Sequence, residues 1–111
     1  MDEELKGWLY DILQAINEIE SFFEDRPKQF ETYLKDIRTK RAVERNLEII
    51  GEAANRILKT EPNFPLPNAK QIIGTRNRII HGYDTISDEL IWAIIINYLP
   101  KLKAESEEML K

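Results

Sequence analysis

The sequence predicts an all-α protein, an up-and-down bundle of four to five helices. Apolar residues recur at three- and four-residue steps along most of the chain, which is the spacing of one helix face. Short segments with proline or glycine separate these runs, and no run shows the strict alternation of a strand. With 111 residues, 42% of them apolar and 32% charged, the chain fits one globular domain, residues 1–111.

The first two helices are predicted on either side of the segment EDRP, residues 24–27. A long amphipathic helix carries the apolar stripe that begins at Leu5 and ends at Phe23. A short helix is predicted to start at Pro27, because proline is tolerated at the first helical position. The apolar residues of this short helix are Phe30, Tyr33, Leu34 and Ile37.

A second long helix is predicted over residues 38–60, RTKRAVERNLEIIGEAANRILKT. Its apolar face consists of Val43, Leu47, Ile50, Ala54, Ile57 and Leu58. Gly51, Ala53 and Ala54 form a patch of small residues, where another helix could approach closely.

The remaining helices follow a loop with three prolines, residues 62–67. Asn68 is the predicted N-cap of the next helix, and Gly82 is expected to end that helix in a left-handed turn. Ser87 is the predicted cap of the final helix, which Pro100 should kink because proline removes a backbone donor. The run IWAIIINYL in the final helix covers more than one face, which favours a homodimer over a monomer with a central helix.

Charge is distributed unevenly along the chain. Residues 1–25 carry a net charge of −7, residues 26–81 a net charge of +6, and residues 82–111 a net charge of −3, which gives −4 in total. This acidic net charge argues against a protein that coats nucleic acid in general. The charged side chains of residues 26–81 either keep helix faces solvated or form a local site for an anionic ligand.

Composition also limits the compartment and the chemistry. There is no cysteine, so disulfides, thiolate catalysis and Cys-ligated zinc are excluded. Three acidic residues follow Met1, unlike the start of a secretory signal, and the longest apolar run is too short to span a bilayer. We therefore expect a cytoplasmic protein without a membrane partner.

The stretch RNRIIHGYD, residues 76–84, holds the only histidine of the chain. Asn77 and Arg78 precede His81 by four and three residues, so on a helix both lie near its face. Arg76 precedes it by five residues, about 140° around an ideal helix. Arg76 can therefore join His81 only if the last turn unwinds, or if the site lies between the two faces.

These side chains suit the metal-free cleavage of an RNA phosphodiester by its own 2′-hydroxyl. Histidine can move protons near neutral pH, and the arginine guanidinium matches phosphate oxygens. A separate acid and base require two histidines, which a two-fold dimer with both His81 copies in one cleft would supply. By spacing alone, His81 also fits a helix cap or a surface group. We expect neither a metal nor a cofactor, since the chain has no Gly-rich phosphate loop and no strong metal-ligand spacing.

The stretch RNRIIHGYD resembles the Arg-x-x-x-x-His-x-Tyr signature of HepT-like toxins in the HEPN superfamily. The resemblance extends through AVERNLEIIGEAANRI, residues 42–57, and IWAIIINYLPKL, residues 91–102. It implies a HEPN-like bundle, a homodimer and a metal-independent ribonuclease toxin. It further implies Arg76 and His81 as the catalytic pair, supported by Asn77, while Arg78 is a candidate to share the phosphate or RNA contact.

The resemblance also implies a partner, a nucleotidyltransferase antitoxin that transfers AMP to the motif tyrosine, here Tyr83. A modified Tyr83, two residues from His81, would place bulk and negative charge over the RNA site. Cleavage of messenger RNA and trimming of transfer RNA both remain open. The alternative is a non-catalytic nucleotide-binding or regulatory subunit of a nucleotidyltransferase complex, in which Arg76 and His81 bind a phosphate without cleaving RNA.

Overall fold

The computed structural model describes residues 1–82 and 86–111, and within them the protein is an all-α bundle, as predicted. Six α-helices are present in these residues, and the last two are joined through one π-helical turn into a single element. Their bounds are α1 Glu3–Ser21, α2 Phe30–Lys35, α3 Ile37–Thr60, α4 Ala69–His81, α5 Asp88–Ala93, the π turn Ile94–Tyr98, and α6 Leu99–Met109.

Several helix ends follow from local side-chain chemistry. The Asp2 carboxylate accepts the Leu5 backbone N–H at 2.8 Å and so caps α1. The predicted Ser87 cap is confirmed, because its hydroxyl accepts the Leu90 N–H at 3.0 Å. The predicted left-handed end of α4 is also confirmed, since Gly82 has φ 63°.

The predicted start of the short helix is wrong. The short helix starts at Phe30 instead of Pro27, after an extended Gln29, and Ile37 lies beyond it at the start of α3. The helices separate at Asp36, whose carboxylate accepts the Thr39 backbone N–H at 3.1 Å and thereby caps α3.

Asn68 occupies the predicted N-cap position of α4, but its side chain does not cap the helix. Its side chain makes no capping hydrogen bond, and its backbone is left-handed with φ 57°. Asparagine tolerates this conformation better than most residues do. The Asn68 carbonyl instead accepts the Ile72 N–H at 3.1 Å, so the residue turns the chain out of the proline loop.

Helix α3 is the centre of the bundle, because it packs against α1 on one side and α4 on another. Helix α6 closes the bundle by packing against α1, where Lys103 donates to Glu20 at 2.7 Å. Each long helix contributes buried side chains to one common core. Its largest fully buried side chains are Tyr33, Leu5, Leu9, Ile12, Ile16, Ile19, Leu47, Ile50, Ile57, Ile72, Ile91 and Ile94.

The chain accommodates Pro100 by widening the helix in front of it. The Leu99 N–H donates to the Ile94 carbonyl, five residues back, and α6 starts with proline in its first turn. Proline has no N–H to offer an α-helical ladder and crowds the carbonyl four residues before it. The predicted kink at Pro100 stays a prediction. The structure shows a π turn before the proline, which adds a residue to one turn of the helix.

An aromatic cluster surrounds Trp92 on α5. Its ring centroid lies 5.8 Å from that of Phe23, 6.0 Å from Phe30 and 5.2 Å from Tyr33. Beside this cluster, Phe30, Trp92, Ala93 and Ile96 line part of a shallow, largely apolar depression of about 270 Å³. Within the described residues, no helix combines the length and the apolar character needed to cross a membrane.

Candidate active site

Helix α4 presents the polar motif on an unbroken helix. The Gly82 N–H donates to the Arg78 carbonyl at 3.0 Å, and His81 is the last helical residue. The last turn therefore does not unwind, and Arg76 and His81 remain on different faces of α4. Five residues of helix also separate them by about 7.5 Å along the axis. Of the two predicted arrangements, only a site between the faces agrees with this helix.

Arg76 is positioned by its close contact with Gly51 on α3. A β-carbon built on Gly51 would collide with the β-carbon of Arg76 and lie 3.3 Å from the Ile72 carbonyl oxygen. Only glycine leaves α4 room to approach α3 this closely. The predicted close approach of another helix at the small-residue patch is therefore confirmed, and the residue that uses it is the motif arginine.

The guanidinium of Arg76 is held by two neighbours. Its Nη2 pairs with Oε2 of Glu52 on α3, and its Nη1 donates to Oδ1 of Asn77 at 2.8 Å. The Arg76 side chain is only 23% exposed. Its Nε is buried and meets no hydrogen-bond acceptor among the described residues. The group is thus fixed in direction while one of its donors is unused.

Glu52 also binds a second arginine. Its Oε1 accepts from Nε of Arg56 at 3.0 Å, one turn further along α3. The carboxylate of Glu52 therefore lies between two guanidiniums. Nearer the start of the same helix, Arg45 pairs with Glu48 at 3.0 Å. Each of the three arginines on this surface has an acidic partner.

These residues line a cleft of about 430 Å³ between α1, α3 and α4. Three arginines face three acids in it, so its lining carries no formal net charge. Part of its wall is apolar and includes the half-buried Trp8 of α1. The lining residues are Trp8, Asp11, Arg45, Glu48, Ile49, Glu52, Ala53, Arg56, Arg76 and Ile80.

The structure brings only some of the predicted site residues together. Arg76 and Asn77 are in direct contact, whereas Arg78 is exposed and lines a separate hollow that faces α5. His81 is exposed at the end of α4 and does not line the cleft that holds Arg76. Tyr83, the predicted modification site, lies outside the described residues.

Sequence reasoning missed Glu52 and Arg56. The small residues around position 51 indicate a close helix contact, but they do not identify which side chain of α4 arrives there. Glu52 lies 24 residues from Arg76, so no helical spacing connects the two. Over residues 1–82 and 86–111, no three His, Asp or Glu side chains gather in a way that could hold a metal ion.

Comparison with known proteins identifies the family. The Ribonuclease HepT-like family matches residues 12–109. A candidate RNase of Methanocaldococcus jannaschii is 37% identical over 110 residues, covering 98% of this chain and 89% of its own. A candidate ribonuclease HepT of Thermococcus cleftensis is 34% identical over 110 residues, covering 96% of both.

A shorter match agrees with these two. A candidate RNase of Caldanaerobacter subterraneus is 37% identical over 84 residues, covering 74% of this chain and 74% of its own. No solved structure matches the chain significantly. The family match covers most of the sequence and includes the whole of α4. The chain therefore belongs to the HepT-like ribonuclease family, within the HEPN superfamily.

Proposed function

We propose that this protein is a metal-independent endoribonuclease toxin that cleaves RNA with Arg76 and His81 at a homodimer cleft. The observation that carries the proposal is the rigid seating of Arg76 against Gly51, with its guanidinium fixed by Glu52 and Asn77. Pre-positioned donors of this kind stabilise charge that develops on a phosphate during reaction. Membership of a ribonuclease family supports the choice of RNA as the substrate.

The chemistry requires a proton acceptor and a proton donor. One His81 imidazole takes the proton of the 2′-hydroxyl, whose oxygen attacks the adjacent phosphorus and displaces the 5′-oxygen. A second imidazole gives a proton to that leaving oxygen, so the products are a 2′,3′-cyclic phosphate and a free 5′-hydroxyl. Arg76 stabilises the charge on the phosphate oxygens. Because one chain has one histidine, His81 of the second copy supplies the other role.

The separation of Arg76 and His81 on α4 is consistent with this arrangement. His81 is exposed at the helix end, while Arg76 faces α3, so a phosphate that contacts both must lie between the two faces. Two copies with these helix ends towards each other would place both imidazoles beside one strand of RNA. The apolar depression at Trp92 and Ile96 is the surface that we propose for dimer contact.

The toxin would be silenced by a nucleotidyltransferase antitoxin that transfers AMP to Tyr83. This part rests on the position of Tyr83 two residues after His81 in the chain. An adenylate there adds a phosphodiester charge two residues from His81 in the chain, which would repel an RNA phosphate.

The test is a cleavage assay on mixed cellular RNA with excess chelator, comparing the wild type with His81→Ala. Mass spectrometry first establishes that Tyr83 is unmodified. We expect His81→Ala to lose at least about 100-fold in rate, the usual contribution of a general acid or base. Lys70→Ala, an exposed change on the first turn of the same helix, is the matched control and should cleave normally. Equal cleavage by the wild type and His81→Ala would refute the catalytic role.

The second candidate function is a regulatory subunit that binds a nucleotide phosphate without cleavage. The observation that favours it is the pairing of Arg76 with Glu52, which neutralises the motif arginine. In that case, neither the wild type nor His81→Ala would cleave RNA, although the unmodified protein would still bind its nucleotidyltransferase partner.

A further inference from the structure

The Glu52 carboxylate is an anionic group that the cleft binds between two arginines. Nη2 of Arg76 and Nε of Arg56 both donate to it, from α4 and α3 respectively. Guanidinium groups bind carboxylate and phosphate with the same planar, forked geometry. The two arginines therefore form a seat whose shape and charge also suit one phosphate group.

Glu52 can leave this seat without disrupting the fold. Its side chain is 37% exposed, and that of Arg56 is 57% exposed, so the carboxylate can rotate into solvent. The Arg56–Glu52 ion pair, at such exposed positions, contributes little to stability. The backbone of α4 would stay in place, because the contact with Gly51 fixes Arg76 independently of its guanidinium.

The same cleft offers a surface for a nucleobase. Trp8 lines it as a half-buried side chain from α1, together with Ile49, Ala53 and Ile80. Single-stranded RNA is commonly bound by stacking its bases on aromatic rings while arginines hold the phosphates. The cleft volume of about 430 Å³ falls within the range of small-molecule sites.

From these features we infer that the cleft binds one nucleotide of single-stranded RNA. Its phosphate lies between Arg56 and Arg76 in place of the Glu52 carboxylate, and its base stacks on Trp8. The inference rests on the proposed function, because it names the part of the RNA substrate that the cleft accepts. Arg56 and Trp8 are then binding residues outside the sequence motif, and Glu52 is a carboxylate that competes with the phosphate.

The two tryptophans allow a direct test by NMR with 5′-AMP as the probe. Trp92 is packed among Phe23, Phe30 and Tyr33, away from the cleft, so its indole N–H signal serves as an internal control. A Trp8→Phe variant assigns the other indole signal. We expect 5′-AMP to shift the Trp8 signal and leave that of Trp92 unchanged. Inorganic phosphate at the same ionic strength should shift it less, because it has no base to stack.

Three variants then test the phosphate seat by the dissociation constant for 5′-AMP. Glu52→Gln should tighten binding several-fold, because it removes the competing charge. Arg56→Gln should weaken binding about tenfold, since it removes a charged hydrogen bond to the phosphate. Arg38→Gln makes the same charge change at an exposed position of α3 outside the cleft, and it should bind as the wild type does.

The result that would overturn the inference is an unmoved Trp8 signal in the presence of 5′-AMP. Equal weakening by Arg56→Gln and Arg38→Gln would also overturn it, because binding would then reflect overall charge alone. The RNA cleavage assay separates this result from the proposed function. A chain that cleaves RNA while Trp8 does not respond refutes only the nucleotide site. A chain that binds 5′-AMP at Trp8 but leaves RNA intact refutes only the ribonuclease.

Discussion

Arg76 rests on Gly51 with no space for a side chain between them. A β-carbon on Gly51 would collide with the β-carbon of Arg76. The backbone of α4 sets the position of that atom, so it cannot rotate away. The close contact between α3 and α4 therefore requires glycine at position 51. The same glycine allows the motif arginine to take its position. Stability and the proposed activity both depend on this contact.

Gly51→Ala should therefore destabilise the fold by about 1–3 kcal/mol, the usual cost of overpacking. It should also reduce RNA cleavage, since α4 must shift and carry Arg76 away from its present position. Gly74→Ala is the matched control, because a β-carbon at Gly74 meets no atom within 4 Å. That control should gain about 0.5–1 kcal/mol, as expected for glycine replaced inside a helix. Urea unfolding measures both, and a Gly51→Ala protein as stable as Gly74→Ala would contradict the packing account.

Ile96→Glu should convert the proposed dimer into a monomer. Ile96 is 41% exposed and borders the apolar depression beside Trp92, where a buried carboxylate would be costly. Sedimentation analysis measures the mass of the variant, and its cleavage rate should fall because each monomer has one imidazole. Ile37→Glu, at a 64% exposed position on α3, is the control and should remain dimeric. A dimeric Ile96→Glu protein would show that the contact lies elsewhere.

Tyr83→Phe should retain RNA cleavage but resist its nucleotidyltransferase antitoxin. Phenylalanine lacks the hydroxyl that would accept AMP, whereas the catalytic groups are unchanged. Incubation with the antitoxin and radiolabelled ATP measures the transfer. Tyr10→Phe, an exposed change on α1, should be labelled like the wild type. Labelling of Tyr83→Phe at the wild-type level would locate the modification at another residue.

Tyr33→Phe should stabilise the protein. The Tyr33 hydroxyl is buried and has no hydrogen-bond partner within the described chain, and its burial raises the phenol pKa above the ordinary value. Removing a buried, unpaired polar group avoids its desolvation cost, which is about 1–3 kcal/mol. The ring contact with Trp92 is kept, so urea unfolding should show a higher midpoint. A lower midpoint would indicate that a partner, such as a bound water, satisfies the hydroxyl.

Asp36 should make the stability of the protein dependent on pH. Hydrogen bonds from the Thr39 side chain and backbone, together with the nearby Arg26 charge, lower the pKa of the Asp36 carboxyl. A lowered pKa in the folded state stabilises the fold above the unfolded pKa, and this stabilisation is lost as the pH falls through the folded value. Wild type should therefore exceed Asp36→Asn in stability at neutral pH, and the difference should shrink as the pH falls below the ordinary pKa of an aspartate, about 3.9. Urea unfolding across this pH range measures the difference, and a value that stays constant with pH would rule out Asp36 as its source.

The helices could be predicted because their apolar stripes are local patterns. Leu5 to Ile19 on α1 and Val43 to Ile57 on α3 repeat at helical spacing and are buried as expected. Caps were less predictable. Ser87 caps through its own side chain, whereas Asn68 takes a left-handed backbone that depends on the course of the preceding proline loop.

The candidate site could be predicted only in part, for a similar reason. Arg76, Asn77 and His81 are close in the sequence, and a helix fixes their relative directions. The partners of Arg76 come from α3, and their identity depends on the distance and rotation between two helices. Local spacing carries no information about that rotation, so Glu52 and Arg56 became apparent only in the folded chain.

The π turn at Ile94–Tyr98 sets the rotational phase of the last helix. Each residue turns a helix by about 100°, so the wide turn decides which side chains of α6 face α1. With it, Leu102 is buried and Lys103 reaches Glu20. Deleting a single residue from this segment would rotate α6 by that angle and turn both side chains away from α1. Surface substitutions on α6 should therefore be tolerated far better than the insertion or deletion of a residue in the π turn before it.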